Sequence, residues 1–107
     1  MAESFGALTE AVYYILLSLF EPLHGYGIMQ NVKVLSCGRV SMGAGTLYGA
    51  VSTLVEKGWI KPLENANDER KKEYIITDAG KRIVGVELDR LEELIQNGRR
   101  ILGGNLS

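Results

Sequence analysis

The chain has 107 residues, 46% of them apolar and 23% charged, with 2 prolines and a net charge of -1. That length suits one domain and that composition suits a folded globule, which excludes a disordered or collagen-like chain. The single cysteine, Cys37, cannot form an internal disulfide, the N-terminus lacks a basic-plus-apolar export signal, and the longest apolar stretch, Ala11 to Phe20, is too short to span a bilayer. A cytoplasmic protein without a membrane anchor is therefore expected.

Thr9 is placed to cap a first helix in which Val12, Leu16 and Leu19 recur at steps of four and three, widened by Ile15 and Phe20. Pro22 stops it. A second helix is predicted from about His24 to Leu35, where Ile28, Met29, Val32 and Leu35 repeat at helical spacing. Ser36-Cys37-Gly38 has loop chemistry, and Arg39-Val40-Ser41 reads as a brief extended piece before the glycines at 43 and 45. In the third helix Leu47, Val51, Leu54 and Val55 share a face, and Gly58 is its left-handed stop.

Trp59 to Leu63 and Glu73 to Ile76 have strand composition and are joined by the polar stretch 65–71, a hairpin with a charged tip. Trp59 is expected to anchor its strand in the core, and Pro62, which cannot donate to a ladder, to lie at a sheet edge. Thr77 then caps a last helix with Val84, Leu88, Leu91, Ile95 and Leu102 along one seam, Gly98 at a seam position, and Gly103 and Gly104 at its end.

The net charge hides a gradient: -2 over residues 1–38, +2 over 39–82 and -1 over 83–107. The middle third is where an anion would be met. Catalytic and metal chemistry find few parts. One histidine, His24, and one cysteine cannot build a zinc cage, and nothing around them suggests a nucleophilic pair. Glu92-Glu93 reads as solvated helix surface, and Gly43-Ala44-Gly45 lacks the rest of a dinucleotide fingerprint. No enzyme, cofactor or metal is expected.

Two helices, a short extended piece, a third helix and a hairpin follow the order of a winged helix-turn-helix, in which the third helix can enter a major groove and the hairpin can touch the flanking backbone. Free amides beside Ser41, Gly43, Gly45 and Thr46 offer a phosphate contact at the start of that helix. The expected fold is mainly α with a small β-hairpin: one domain over 1–107, with the winged helix-turn-helix over about 8–77 and a C-terminal dimerisation helix over about 78–102. The seam from Val84 to Leu102 has more apolar surface than its own small domain needs, which points to a partner helix.

The residues carry a resemblance. Leu23-His24-Gly25-Tyr26, Gly43-Ala44-Gly45-Thr46-Leu47-Tyr48, the run Leu54 to Ile60, Tyr74, and Thr77-Asp78-Ala79-Gly80 are similar to the PadR family of bacterial transcriptional regulators, over about Leu8 to Leu102. The family pattern commonly has proline where this chain has Ala44 and Gly49. The resemblance implies a homodimer joined by the last helix with help from the first, where Val12 and Leu16 lie. It further implies binding to a near-palindromic double-stranded operator, and repression released by a small molecule or stress signal.

Carried over position by position, Ser41, Thr46 and Tyr48 stand at the groove entrance, Gly43 offers backbone to phosphate, and Ser52 reaches further along the groove. Arg70 and Lys71 are the wing contacts, with Lys61 and Lys72 next, each neutralising phosphate without reading bases. No arginine lies between Thr46 and Gly58, so sequence preference falls to Tyr48, small hydroxyls and DNA shape. His24 is expected to make a structural hydrogen bond, and Cys37 has a sensing role only where Arg39 stabilises its thiolate. Two rival classes are a winged-helix module used only for protein association and a ligand-binding carrier with no specific DNA binding.

Overall fold

Local caps set where the helices begin. The Thr9 hydroxyl accepts the Val12 N–H at 3.1 Å and starts α1 (Glu10–Ser18). His24 does the same for α2 (Gly25–Leu35), its Nδ1 accepting the Gly27 N–H at 3.1 Å, which is the structural bond expected of it. The computed structural model describes residues 6–63 and 72–104. In it α3 spans Ala44–Glu56, β2 Ile60–Pro62, β3 Glu73–Ile76 and α4 Asp78–Leu102, with a two-residue β1 at Leu23–His24.

The sheet has three antiparallel strands in the order β1-β3-β2, one more than the expected hairpin. Leu23 pairs with Tyr74 and His24 with Glu73. The piece at Arg39–Ser41, read as briefly extended, joins no strand; the third strand is Leu23–His24. Ser36 explains the difference. Its buried hydroxyl accepts the Val40 N–H at 2.9 Å and donates to the Lys33 carbonyl at 3.3 Å, so the loop folds back on α2 and has no sheet edge to join. Pro62 lies on edge strand β2, opposite Tyr74, where its missing N–H costs no ladder bond.

Two helix ends close with the same double bond. The Trp59 N–H reaches Leu54 O and the Gly58 N–H reaches Val55 O, both 3.0 Å, with Gly58 at φ +79°. After α2 the Gly38 N–H reaches Lys33 O at 2.8 Å and the Cys37 N–H reaches Val34 O at 3.1 Å, so Cys37, at φ +54°, occupies the left-handed position that glycine usually takes.

The core joins Ile15, Leu16 and Leu19 of α1, Ile28 and Val32 of α2, Leu47, Val51 and Leu54 of α3, Ile60, Tyr74 and Ile76 of the sheet, and Ile83 and Val84 of α4. Trp59 packs against it, half-buried. Asn31 donates to the Ser18 hydroxyl at 2.9 Å and ties α2 to α1. The start of α4 is bolted to the α3–β2 corner. Thr77 Oγ1 accepts the Gly80 N–H at 3.1 Å and donates to Gly58 O at 2.7 Å, while the Thr77 N–H reaches Trp59 O at 3.0 Å. Gly80 leaves room for that closeness: a Cβ there would sit 2.6 Å from Ile76 Cγ1 and 3.0 Å from the Trp59 carbonyl carbon. Together these elements form a winged helix-turn-helix followed by a long helix of about 37 Å.

Candidate nucleic-acid interface

The second helix of the helix-turn-helix, α3, has two unlike faces. Leu47, Val51 and Leu54 are buried, whereas Gly45, Thr46, Gly49, Ser52 and Thr53 are exposed. Its N-cap Gly43 makes no side-chain capping bond and its first turn holds no acid, so the leading amides are open to an anion. Small, uncharged side chains cover the outer face, and Thr53 turns its hydroxyl back to Gly49 O at 3.2 Å. Such a surface lets the backbone approach a groove closely and leaves Thr46 and Ser52 as its hydroxyl donors.

The expected contacts divide accordingly. Ser41, Gly43, Thr46 and Ser52 are exposed: Gly43 and Thr46 at the cap and first turn of α3, Ser52 two turns further on and Ser41 just before the cap. Lys61 is exposed on β2, and Lys72 is half-buried just before β3. Arg70 and Lys71 lie outside the described residues. Tyr48 is half-buried instead of standing free at the groove. Its phenol lies against the start of α2, where a Cβ on Gly25 would come within 2.6 Å of Tyr48 Cζ. The G-x-G-T-L-Y and H-G-Y segments thus meet as a packing pair, and Tyr48 fixes the angle of α3 on α2.

Two ion pairs flank this frame. Arg39, in the α2–α3 turn, reaches Glu10 of α1 through both Nε and Nη2, and that bond and charge raise the guanidinium pKa further. The guanidinium invoked to stabilise a Cys37 thiolate is therefore engaged elsewhere; Cys37 itself is exposed. Glu87, 5% exposed, accepts from Arg90 Nη2 at 2.6 Å and from Nε at 2.9 Å. Its carboxyl is held below the usual range, chiefly by the Arg90 hydrogen bond. The Tyr13 hydroxyl beside it is pushed up, by burial first and by Glu87 second.

On α4 the expected seam splits. Val84 (4% exposed) sits in the protomer's own core, as does Leu16 of α1 (0%), so neither is surface offered to a partner. One step of three or four cannot by itself distinguish core from interface. Leu88, Ile95 and Leu102 are exposed, Leu91 and Val12 half-buried. Leu94 and Ile101 widen the exposed stripe and were not in the seam; their signal was the seven-residue spacing from position 87, masked because a glutamate begins it. Between α3 and the start of α1 a cleft of about 720 Å³ is lined by Leu8, Thr9 and Val12 on one side and by Ala50, Thr53, Lys57 and Trp59 on the other, with the Lys57 ammonium 5.1 Å from the Trp59 ring centre. Among the described residues no group of three or more His, Cys, Asp or Glu is arranged to hold a metal ion, and no helix is long and apolar enough to cross a membrane.

Residues 14–85 match the model of the transcriptional regulator PadR-like family. The chain belongs to this family. As a PadR-like protein it falls among transcriptional regulators, and the solved structures agree. A PadR family transcriptional regulator from Eggerthella lenta DSM 2243 is similar with a TM-score of 0.69 and 26% identity, over 88% of this chain and 82% of that one. RosR of H. salinarum is similar with a TM-score of 0.64 and 28% identity, over 84% of this chain and 76% of that one. In sequence, 73 residues are 34% identical to an uncharacterised 37.1 kDa protein in transposon TN4556 of Streptomyces fradiae, covering 68% of this chain. The PadR-like chain spans 20% of the length of that relative.

Proposed function

We propose that this PadR-like regulator is a sequence-specific DNA-binding repressor that acts as a homodimer. The observation that carries the reading is the leading half of α3: an exposed, acid-free helix start with open amides at Gly43 to Thr46, held rigidly on α2 by buried Leu47 and by Tyr48. Inserted in a major groove, that end meets phosphate with its amides and bases with Thr46, while Ser52 reaches further along the groove. Lys61 and Lys72, with Arg70 and Lys71 in the β2–β3 connection, supply charge to the flanking backbone. With so few long side chains on α3, preference rests on small hydroxyls and on DNA shape.

Dimerisation follows from α4. The helix face that buries Gly80, Ile83, Val84 and Glu87 continues at helical spacing through Leu91, Leu94, Ile95, Gly98, Ile101 and Leu102, beyond the reach of the protomer's own core. A two-fold partner covers it and sets two copies of α3 on successive half-sites of a near-palindromic operator. In this division residues 8–77 bind DNA and 78–102 pair the protomers. Release by a small molecule has a place to act in the cleft between α3 and the start of α1, since an occupant there bears directly on both.

The test is fluorescence anisotropy on a duplex selected from a random-sequence library. Thr46→Asp places a carboxylate where phosphate is expected and lowers affinity for the selected duplex at least about tenfold, while leaving the fold intact. Unchanged affinity in Thr46→Asp contradicts the reading. Wild-type protein that selects no sequence, yet forms a stable dimer, favours the protein-association class.

A further inference from the structure

The turn that leads into α3 carries one cation, and the structure neutralises it. Between Arg39 and Lys57 the sequence has no lysine, arginine or histidine, so Arg39 is the last cation of the chain before the start of α3. The backbone around it is fixed. The Arg39 N–H reaches Ser36 O at 3.0 Å, and the Val40 N–H is held by the Ser36 hydroxyl at 2.9 Å. Four residues later comes Gly43, the open cap of α3.

The side chain is not free. Its guanidinium fork grips the two carboxylate oxygens of Glu10, 29 residues earlier in the chain, through Nη2 and through Nε at 3.5 Å. Both partners of the pair are exposed, 64% for Arg39 and 41% for Glu10, and an exposed ion pair is weakly held. A carboxylate and a phosphate offer the same two-oxygen edge to guanidinium, and the phosphate carries the stronger acceptors. Glu10 therefore offers the Arg39 guanidinium the same kind of edge that a phosphate would offer.

We propose that Arg39 is a phosphate contact of the DNA interface and that Glu10 is its built-in competitor, occupying the guanidinium until DNA displaces it. This rests on the DNA-binding reading above. The consequence is affinity set lower, and salt dependence less steep, than the number of cations near α3 implies, with the carboxylate also screening non-specific contacts.

The experiment is a double-mutant cycle on the full chain: wild type, Glu10→Gln, Arg39→Gln and the double variant, each titrated against the selected duplex and a random duplex over a range of salt. Both positions are exposed, so all four proteins keep wild-type melting. Glu10→Gln is expected to tighten binding about fivefold at ~0.1 M salt and to steepen the log-log salt slope by about one. In the Arg39→Gln background the same change gains about twofold or less, the part due to plain repulsion between Glu10 and DNA. An equal gain in both backgrounds overturns the proposal while leaving DNA binding in place. Weaker binding by Glu10→Gln overturns it too, since Glu10 would then be orienting Arg39 for DNA. Absence of DNA binding in all four proteins removes the DNA reading itself, and the proposal with it.

Discussion

The two halves of α4 present one continuous face to two different surroundings. In the first half Gly80, Ile83, Val84 and Glu87 meet α1, Ile76 and Trp59, and all four are buried. In the second half the same face carries Ile95 at 52% exposure, Ile101 at 60% and Leu102 at 89%, with no element of the described chain against it. Helical periodicity is identical across the boundary. What changes is whether α1 and the sheet extend far enough to cover it, so burial here is decided by tertiary reach and not by local pattern.

The comparison breaks most readily at Ile83. Ile83→Ala removes a buried side chain from the first half and is expected to lower stability by about 2–4 kcal/mol, read as a shift of the urea midpoint at constant slope. A paired Ile95→Asp/Ile101→Asp change in the second half is expected to raise the dimer dissociation constant by about 100-fold or more, or about 2.7 kcal/mol, while far-UV circular dichroism stays that of the wild type. Sedimentation equilibrium checks it; loss of helicity in step with dissociation would make the two halves one folding unit.

Glu87 marks the boundary and tests it by pH. Glu87→Ala strips the Arg90 bonds and is expected to cost about 1–2 kcal/mol at neutral pH. Because the folded carboxyl is held below its ordinary value, the stabilisation is complete above the unfolded pKa and is lost as pH falls through the lowered folded value. Denaturation curves of wild type and variant should therefore converge as pH is lowered below the ordinary glutamate range. The smallest effect is expected away from α4. Cys37→Gly relieves a left-handed residue at φ +54° and should raise stability by about 0.5–1 kcal/mol; a decrease would mean that the exposed thiol makes a compensating contact.

Features legible in the sequence were those whose cause lies within a few residues. Thr9, His24 and Thr77 announce helix starts because a cap acts over three positions, and Gly58 announces a stop because only its own backbone must turn left-handed. The exposed start of α3 was legible for the same reason. What the pattern concealed depends on distant chain. Leu23–His24 becomes a strand only because Glu73 and Tyr74 come alongside, and Arg39 finds Glu10 across 29 residues. Glu87 carried no mark of its burial, since a charge on a helix is usually solvated, yet it lies 5% exposed with Arg90 one turn on as its partner. Tyr48 stood in a recognisable motif, but its direction was set by Gly25, a partner whose lack of a side chain leaves no mark on periodicity.

The central claim is that the leading face of α3 binds DNA through phosphate contacts and groove readout. Its most direct test is the wild-type affinity for a selected duplex and for a random duplex, followed from low to moderate salt. The account predicts a linear fall on a double-logarithmic plot with a slope of about -3 or steeper for both, and a selected-over-random preference of at least ~1,000-fold that persists across the range. An affinity indifferent to salt, with no preference between the two duplexes, would contradict it.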